Sequence, residues 1–203
     1  MYFADAKVSR MRYFLAGAVC ALTAGIGFSQ PPGGVPITDE PPGGSRPAQP
    51  PPLSPPAKTS VTINSQKITI NYSAPSMRKR VIFGGLVPYD QVWRAGANDA
   101  TILHTSVDLE FKGLVVPKGE YSLFVWPDPQ QWQLIINRQT GQQGLEYHPE
   151  RDLGRVQMDM SRPPKPVETY KMTLTKTSGM QGQLKLAWEN TVATVDFVVR
   201  TPR

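Results

Sequence analysis

The chain is poor in the residues on which most catalytic and metal chemistry is built. Of its 203 residues, one is cysteine, Cys20, and two are histidine, His104 and His148. Cys20 lies inside an apolar run near the N-terminus, so a chain processed beyond that run has no thiol. Disulfides, thiolate metal sites and cysteine nucleophiles are then excluded, and stability must come from the core. There is no H-E-x-x-H and no paired ligand spacing. A metal site would need His104 or His148 to converge with carboxylates such as Asp99 or Glu146, and each histidine reads instead as an isolated strand or surface residue. G-x-S-x-G is absent, so no nucleophile elbow is expected. Gly84-Gly85 is a turn pair and not a phosphate cradle. Neither a metal nor a cofactor is expected, and no residue stands out as catalytic.

What is present begins with an address. Lys7, Arg10 and Arg12 precede the 14-residue apolar run LAGAVCALTAGIGF, and Gly27 and Ser29 occupy the small positions before a cut after residue 29. Such a run is too short to cross a hydrocarbon core of about 30 Å comfortably. Residues 1–29 therefore read as a secretory signal peptide, with an uncleaved anchor as the alternative and Met11 as a second start. Val19 directly before Cys20 argues against lipid modification of that cysteine. The expected location is exported, periplasmic or extracellular, with no stable membrane span once the signal is removed. Taking the leader's net +2 from the formal +6 leaves +4. The one dense basic cluster, Arg78-Lys79-Arg80, has no interleaved aromatics, so no nucleic-acid partner is expected.

Residues 30–56 contain eleven prolines and two copies of PPGG. With so few apolar side chains this stretch cannot offset chain entropy, and it reads as a disordered polyproline II spacer. From residue 57 to 203 a single domain is expected, because alternation with period two begins there. Ile68, Ile70 and Tyr72 oppose Lys67, Thr69 and Asn71; Tyr170, Met172 and Leu174 oppose Thr169, Lys171 and Thr173. Residues 101–111 read as one strand, residues 109–137 as an antiparallel meander, and residues 183–189 and 192–199 as a hairpin across Asn190-Thr191. The sum is an all-β fold, an antiparallel β-sandwich of about nine short strands. Long loops at 77–100 and 138–153 break the even rhythm a closed barrel needs.

Residues 81–101, VIFGGLVPYDQVWRAGANDAT, are neither clean strand nor spacer, and they crowd polar and aromatic side chains together. Arg94 can hold a carboxylate or phosphate in its planar fork, with Asn98 and Asp99 as complementary groups. Alternatively Arg94 pairs with Asp99 or Asp90, and Asn98 takes a left-handed turn position that ties the loop down. Trp93 and Tyr89 form either an aromatic platform or core cover, as do Trp126 and Trp132.

Phe83-Gly84-Gly85-Leu86-Val87-Pro88-Tyr89, Val92-Trp93-Arg94, Gly96-Ala97-Asn98 and Ala100-Thr101 resemble the signature of a family of exported bacterial proteins, a domain of unknown function. The resemblance continues at Pro117, Gly119, Tyr121, Leu123, Phe124 and Trp188-Glu189-Asn190, and covers residues 61–199. It implies one β-rich domain behind a signal peptide and brings no activity, cofactor or catalytic residue. The family pattern more often has Glu where this chain has Asp99, which keeps the carboxylate and shortens its reach. The expected role is a binding or envelope-associated interaction module, with Arg94, Asn98, Asp99, Trp93 and Tyr89 as ligand-binding candidates for a ligand or envelope component not yet identified. The alternative is a hydrolase of glycans or other envelope material, using Asp99 with a second carboxylate or His104.

Overall fold

The computed structural model describes residues 53–200. The expected signal peptide and most of the proline-rich segment lie outside the described residues. Twelve strands follow in chain order: β1 (Pro56–Ile63), β2 (Gln66–Ser73), β3 (Thr101–Thr105), β4 (Leu109–Phe111), β5 (Leu114–Val116), β6 (Gly119–Trp126), β7 (Gln133–Asn137), β8 (Asp152–Gln157), β9 (Asp159–Ser161), β10 (Val167–Ser178), β11 (Gln181–Glu189) and β12 (Thr191–Val199). One sheet has the order β1-β2-β3-β6-β7-β8; the other has β10-β11-β12-β4-β5, with β9 also paired to β12. Every strand pair is antiparallel. The expected sandwich is thus the observed architecture, with twelve strands in place of about nine. Among the described residues no helix is long and apolar enough to cross a membrane.

The difference in count has a physical cause. The single strand expected over residues 101–111 is two strands, β3 and β4, which belong to different sheets. The expected meander divides in the same way, β4 and β5 in one sheet, β6 and β7 in the other. Leu103, Thr105, Val107, Leu109 and Phe111 are all buried, so the alternation runs unbroken through the crossing. Both strands face one shared core, and period two cannot reveal which sheet a strand joins. The Asp108 carboxylate accepts the Lys118 backbone N–H at 2.8 Å, tying this crossing to the return crossing before β6.

Tight turns set the hairpin registers. Asn64-Ser65 (φ 48° and 60°) and Lys112-Gly113 (φ 44° and 92°) both place two consecutive residues in the left-handed region, as two-residue hairpins favour. In the last hairpin Trp188 opposes Thr191, so the turn is Glu189-Asn190, one residue earlier than expected. Its positive φ, 54°, falls on Glu189.

The expected alternation over residues 67–72 and 167–176 buries Ile68, Ile70 and Tyr72 against Tyr170, Met172 and Leu174 in the core. β6 lies inside its sheet and is buried on both faces: Tyr121, Leu123 and Val125 join the core. Phe124, on the opposite face, stands beside Ile135 and meets the Tyr147 ring at a centroid distance of 4.9 Å. That contact brings the long loop after β7, which holds a single 3-10 turn (Pro149–Arg151), over the sheet beside the candidate site.

Candidate functional site

The site is built on a detour from the sheet. Thr101 of β3 opposes Leu123 of β6. Two residues further along β6, Val125 exchanges both backbone hydrogen bonds with Trp93, each at 2.8 Å. Residues 94–100 therefore leave the ladder at Trp93 and rejoin it about 7 Å away. Inside this excursion Ala95 (φ 50°) and Asn98 (φ 57°) adopt left-handed conformations. The Thr101 hydroxyl donates to the Ala95 carbonyl at 3.0 Å, and the Trp93 indole N–H donates to the Gly96 carbonyl at 3.2 Å. A Cβ on Gly96 would come within 3.1 Å of the Ser73 carbonyl oxygen, so any side chain there would crowd the close approach of the backbone to β2. Asn98 Nδ2 donates to the Ser54 carbonyl (3.2 Å) and the Ser73 hydroxyl (3.3 Å).

A second anchor holds the preceding turn. The Glu189 carboxylate accepts the backbone N–H groups of Ile82 (3.1 Å) and Phe83 (3.5 Å). Gly84, at φ 83°, lies against one edge of the Tyr89 ring. Phe83 then enters an aromatic cluster. It meets Trp132 at 4.6 Å, while Trp93 stacks on Trp188 at 5.8 Å and meets Tyr170 at 5.1 Å. Edge and offset contacts of this kind add to plain burial, so the loop's aromatics fasten it to the sandwich.

Between these anchored segments lies a cleft of about 470 Å³, lined by Arg94, Trp93, Asn98, Leu86, Leu145 and Tyr147 among others. No acidic side chain lines it. Among the described residues Arg94 makes no ion pair, so the expected partners Asp99 and Asp90 do not hold it. Its side chain is packed along the long loop, since a Cβ on Gly144 would collide with Arg94 Cδ and the Asn98 carbonyl oxygen. Gly144 N–H donates to that carbonyl at 3.2 Å. The Tyr147 hydroxyl donates to Asp152 at 2.7 Å. Burial, then that bond to Asp152, pushes Tyr147 up to about 12, so it stays neutral near pH 7.

The five candidate residues separate in space. Arg94, Asn98 and Trp93 line the cleft; Tyr89 packs on Gly84, and Asp99 lines a different depression of about 320 Å³ with Gln142 and Gln143. No second ionisable side chain lines that depression. His104 is held between Glu120 (2.9 Å) and Asn71 (3.0 Å), and His148 between Glu150 (3.0 Å) and Glu146 (3.3 Å). Among the described residues no group of three or more His, Cys, Asp or Glu side chains is placed to hold a metal ion. Trp132 is core, and Trp126 lies under the Arg155 guanidinium at 5.9 Å. Sequence reasoning missed Gly144 and Leu145, and it named Glu189 only within the family resemblance, without a role. An isolated leucine in the polar stretch QTGQQGLEY was the available signal for Leu145.

Fold and site together describe an antiparallel β-sandwich whose long loops, fastened by aromatic and carboxylate anchors, border a cleft in which Arg94 makes no ion pair among the described residues. The chain belongs to the DUF2911 family of proteins of unknown function, whose family model matches residues 54–197. No curated protein and no solved structure matches it.

Proposed function

We propose that the protein is an exported binding module that captures a ligand or envelope component through the cleft beside residues 84–101. The observation that supports it most is Arg94, a cation lining a concave site with no acidic side chain in the lining. A charge left without a partner in a partly buried setting is costly unless a ligand or solvent completes it. Export rests on the sequence of residues 1–29. The hydrolase alternative needs a second acid or base beside Asp99, and the groups lining that depression are the amides Gln142 and Gln143.

The test is a ligand-observed NMR screen of carbohydrate, peptide and small-anion fragments against wild type, Arg94→Ala and Asn98→Ala. Fragments that bind wild type should be lost on Arg94→Ala while its thermal transition stays cooperative. If both variants unfold, these residues serve only to hold the loop.

A further inference from the structure

We infer that the cleft takes a small organic carboxylate carrying a medium-length aliphatic chain, with Arg94 on the head group and leucines on the chain. This rests on the binding reading above and narrows it to one ligand class. The head group follows from the donors. Five nitrogen-bearing side chains line the cleft: Arg80, Trp93, Arg94, Asn98 and Trp188. Three are committed internally, and Arg80 in part. Arg80 donates to the Met77 and Ser76 carbonyls, each at 2.9 Å. Asn98 donates to Ser54 and Ser73, and the two indoles donate to the carbonyls of Gly96 and Glu168. Among the described residues, Arg94 alone of the five has all its donors free. One guanidinium offers a planar fork and a single charge, which a carboxylate matches with two parallel hydrogen bonds. Arg80, the second cation in the lining, has its Nε and Nη2 turned to the Met77 and Ser76 carbonyls, so Arg94 alone presents a whole fork.

The chain follows from the rim. Six large apolar side chains are exposed among the described residues, and three of them, Leu53 (69%), Leu86 (48%) and Leu145 (85%), stand at this one cleft. They come from three separate segments of the chain. Exposed leucines scattered singly need no explanation, whereas three around one opening mark a surface that something apolar covers. Their side chains are aliphatic, and a volume of about 470 Å³ suits one chain of moderate length.

Calorimetric titration of the full chain with hexanoate, octanoate and decanoate, below their aggregation thresholds, tests the inference. Affinity should rise roughly fourfold per added methylene while the chain still lies within the cleft. Octanol should bind at least tenfold more weakly than octanoate, and Arg94→Gln should abolish that difference. Leu145→Ser, at an exposed position whose change leaves the fold intact, should flatten the chain-length dependence. Equal binding of octanoate, octanol and octyltrimethylammonium would overturn the assignment of the head group. So would octyl phosphate binding tighter than octanoate. Association with phosphatidylglycerol vesicles without alkanoate binding would assign the site to a membrane surface and overturn the inference. If carbohydrate or peptide fragments bind at Arg94 and alkanoates do not, the ligand class falls and the binding module stands. If nothing from any of these sets binds, both fall.

Discussion

Tyr170 buries its hydroxyl in the aromatic cluster with no hydrogen-bond partner among the described residues. A buried polar group left unpaired carries its full desolvation cost, so Tyr170→Phe should leave stability unchanged or raise it by about 1 kcal/mol, read as the thermal midpoint. A fall would mean that the hydroxyl has a partner, such as an internal water. The same burial holds Tyr170 well above the ordinary tyrosine value of 10.0, and Tyr147 is raised to about 12. Tyr147's folded-state value is raised, so its stabilisation is full below pH 10 and is lost as pH rises through about 12, because the unfolded chain ionises first. Thermal midpoints measured across that alkaline range should decline less steeply in Tyr147→Phe than in wild type, and equal slopes would contradict the assignment. At this scale the site was partly legible. Polar and aromatic crowding pointed to Arg94, Asn98 and Trp93, which do share a cleft. Tyr89 and Asp99 come from the same stretch yet lie elsewhere, because left-handed residues at Asp90, Ala95 and Asn98 redirect the chain between them.

Elements, in contrast to single side chains, owe their positions here to contacts between residues distant in sequence. The turn at residues 82–83 is fixed by Glu189, which is 107 positions from Ile82. Placing Glu189 at positive φ in a two-residue hairpin turn is unfavourable locally, and its carboxylate gains two backbone donors in exchange. Glu189→Gln keeps the shape and removes the charge. It should cost about 1–3 kcal/mol and speed amide exchange at Ile82 and Phe83 selectively. Uniform exchange across the sandwich would instead mean global destabilisation. Strand identity was readable from alternation, and the last hairpin to within one residue of its turn. The crossing between sheets near Asp108 was not, since Leu103 to Phe111 keep one buried face throughout. What fixes that crossing is the carboxylate of Asp108 on Lys118, a contact with no periodic trace.

For the whole molecule, the described region buries a continuous core spanning both sheets and contains no cysteine, so its stability comes from packing and backbone hydrogen bonds. The proposed export predicts a mature chain beginning at Gln30, to be read by N-terminal sequencing of the protein recovered from the envelope or medium. An intact start at Met1 or Met11 in the membrane fraction would favour the anchor. A crystal soaked with octanoate reads out whether Arg94, which makes no ion pair among the described residues, meets an anion. The expected result is a carboxylate about 2.8 Å from both prongs of the Arg94 guanidinium, with its chain against Leu86 and Leu145. The contrary result is an empty cleft with Arg94 paired to Asp99 or Asp90, which would make the residue a loop staple.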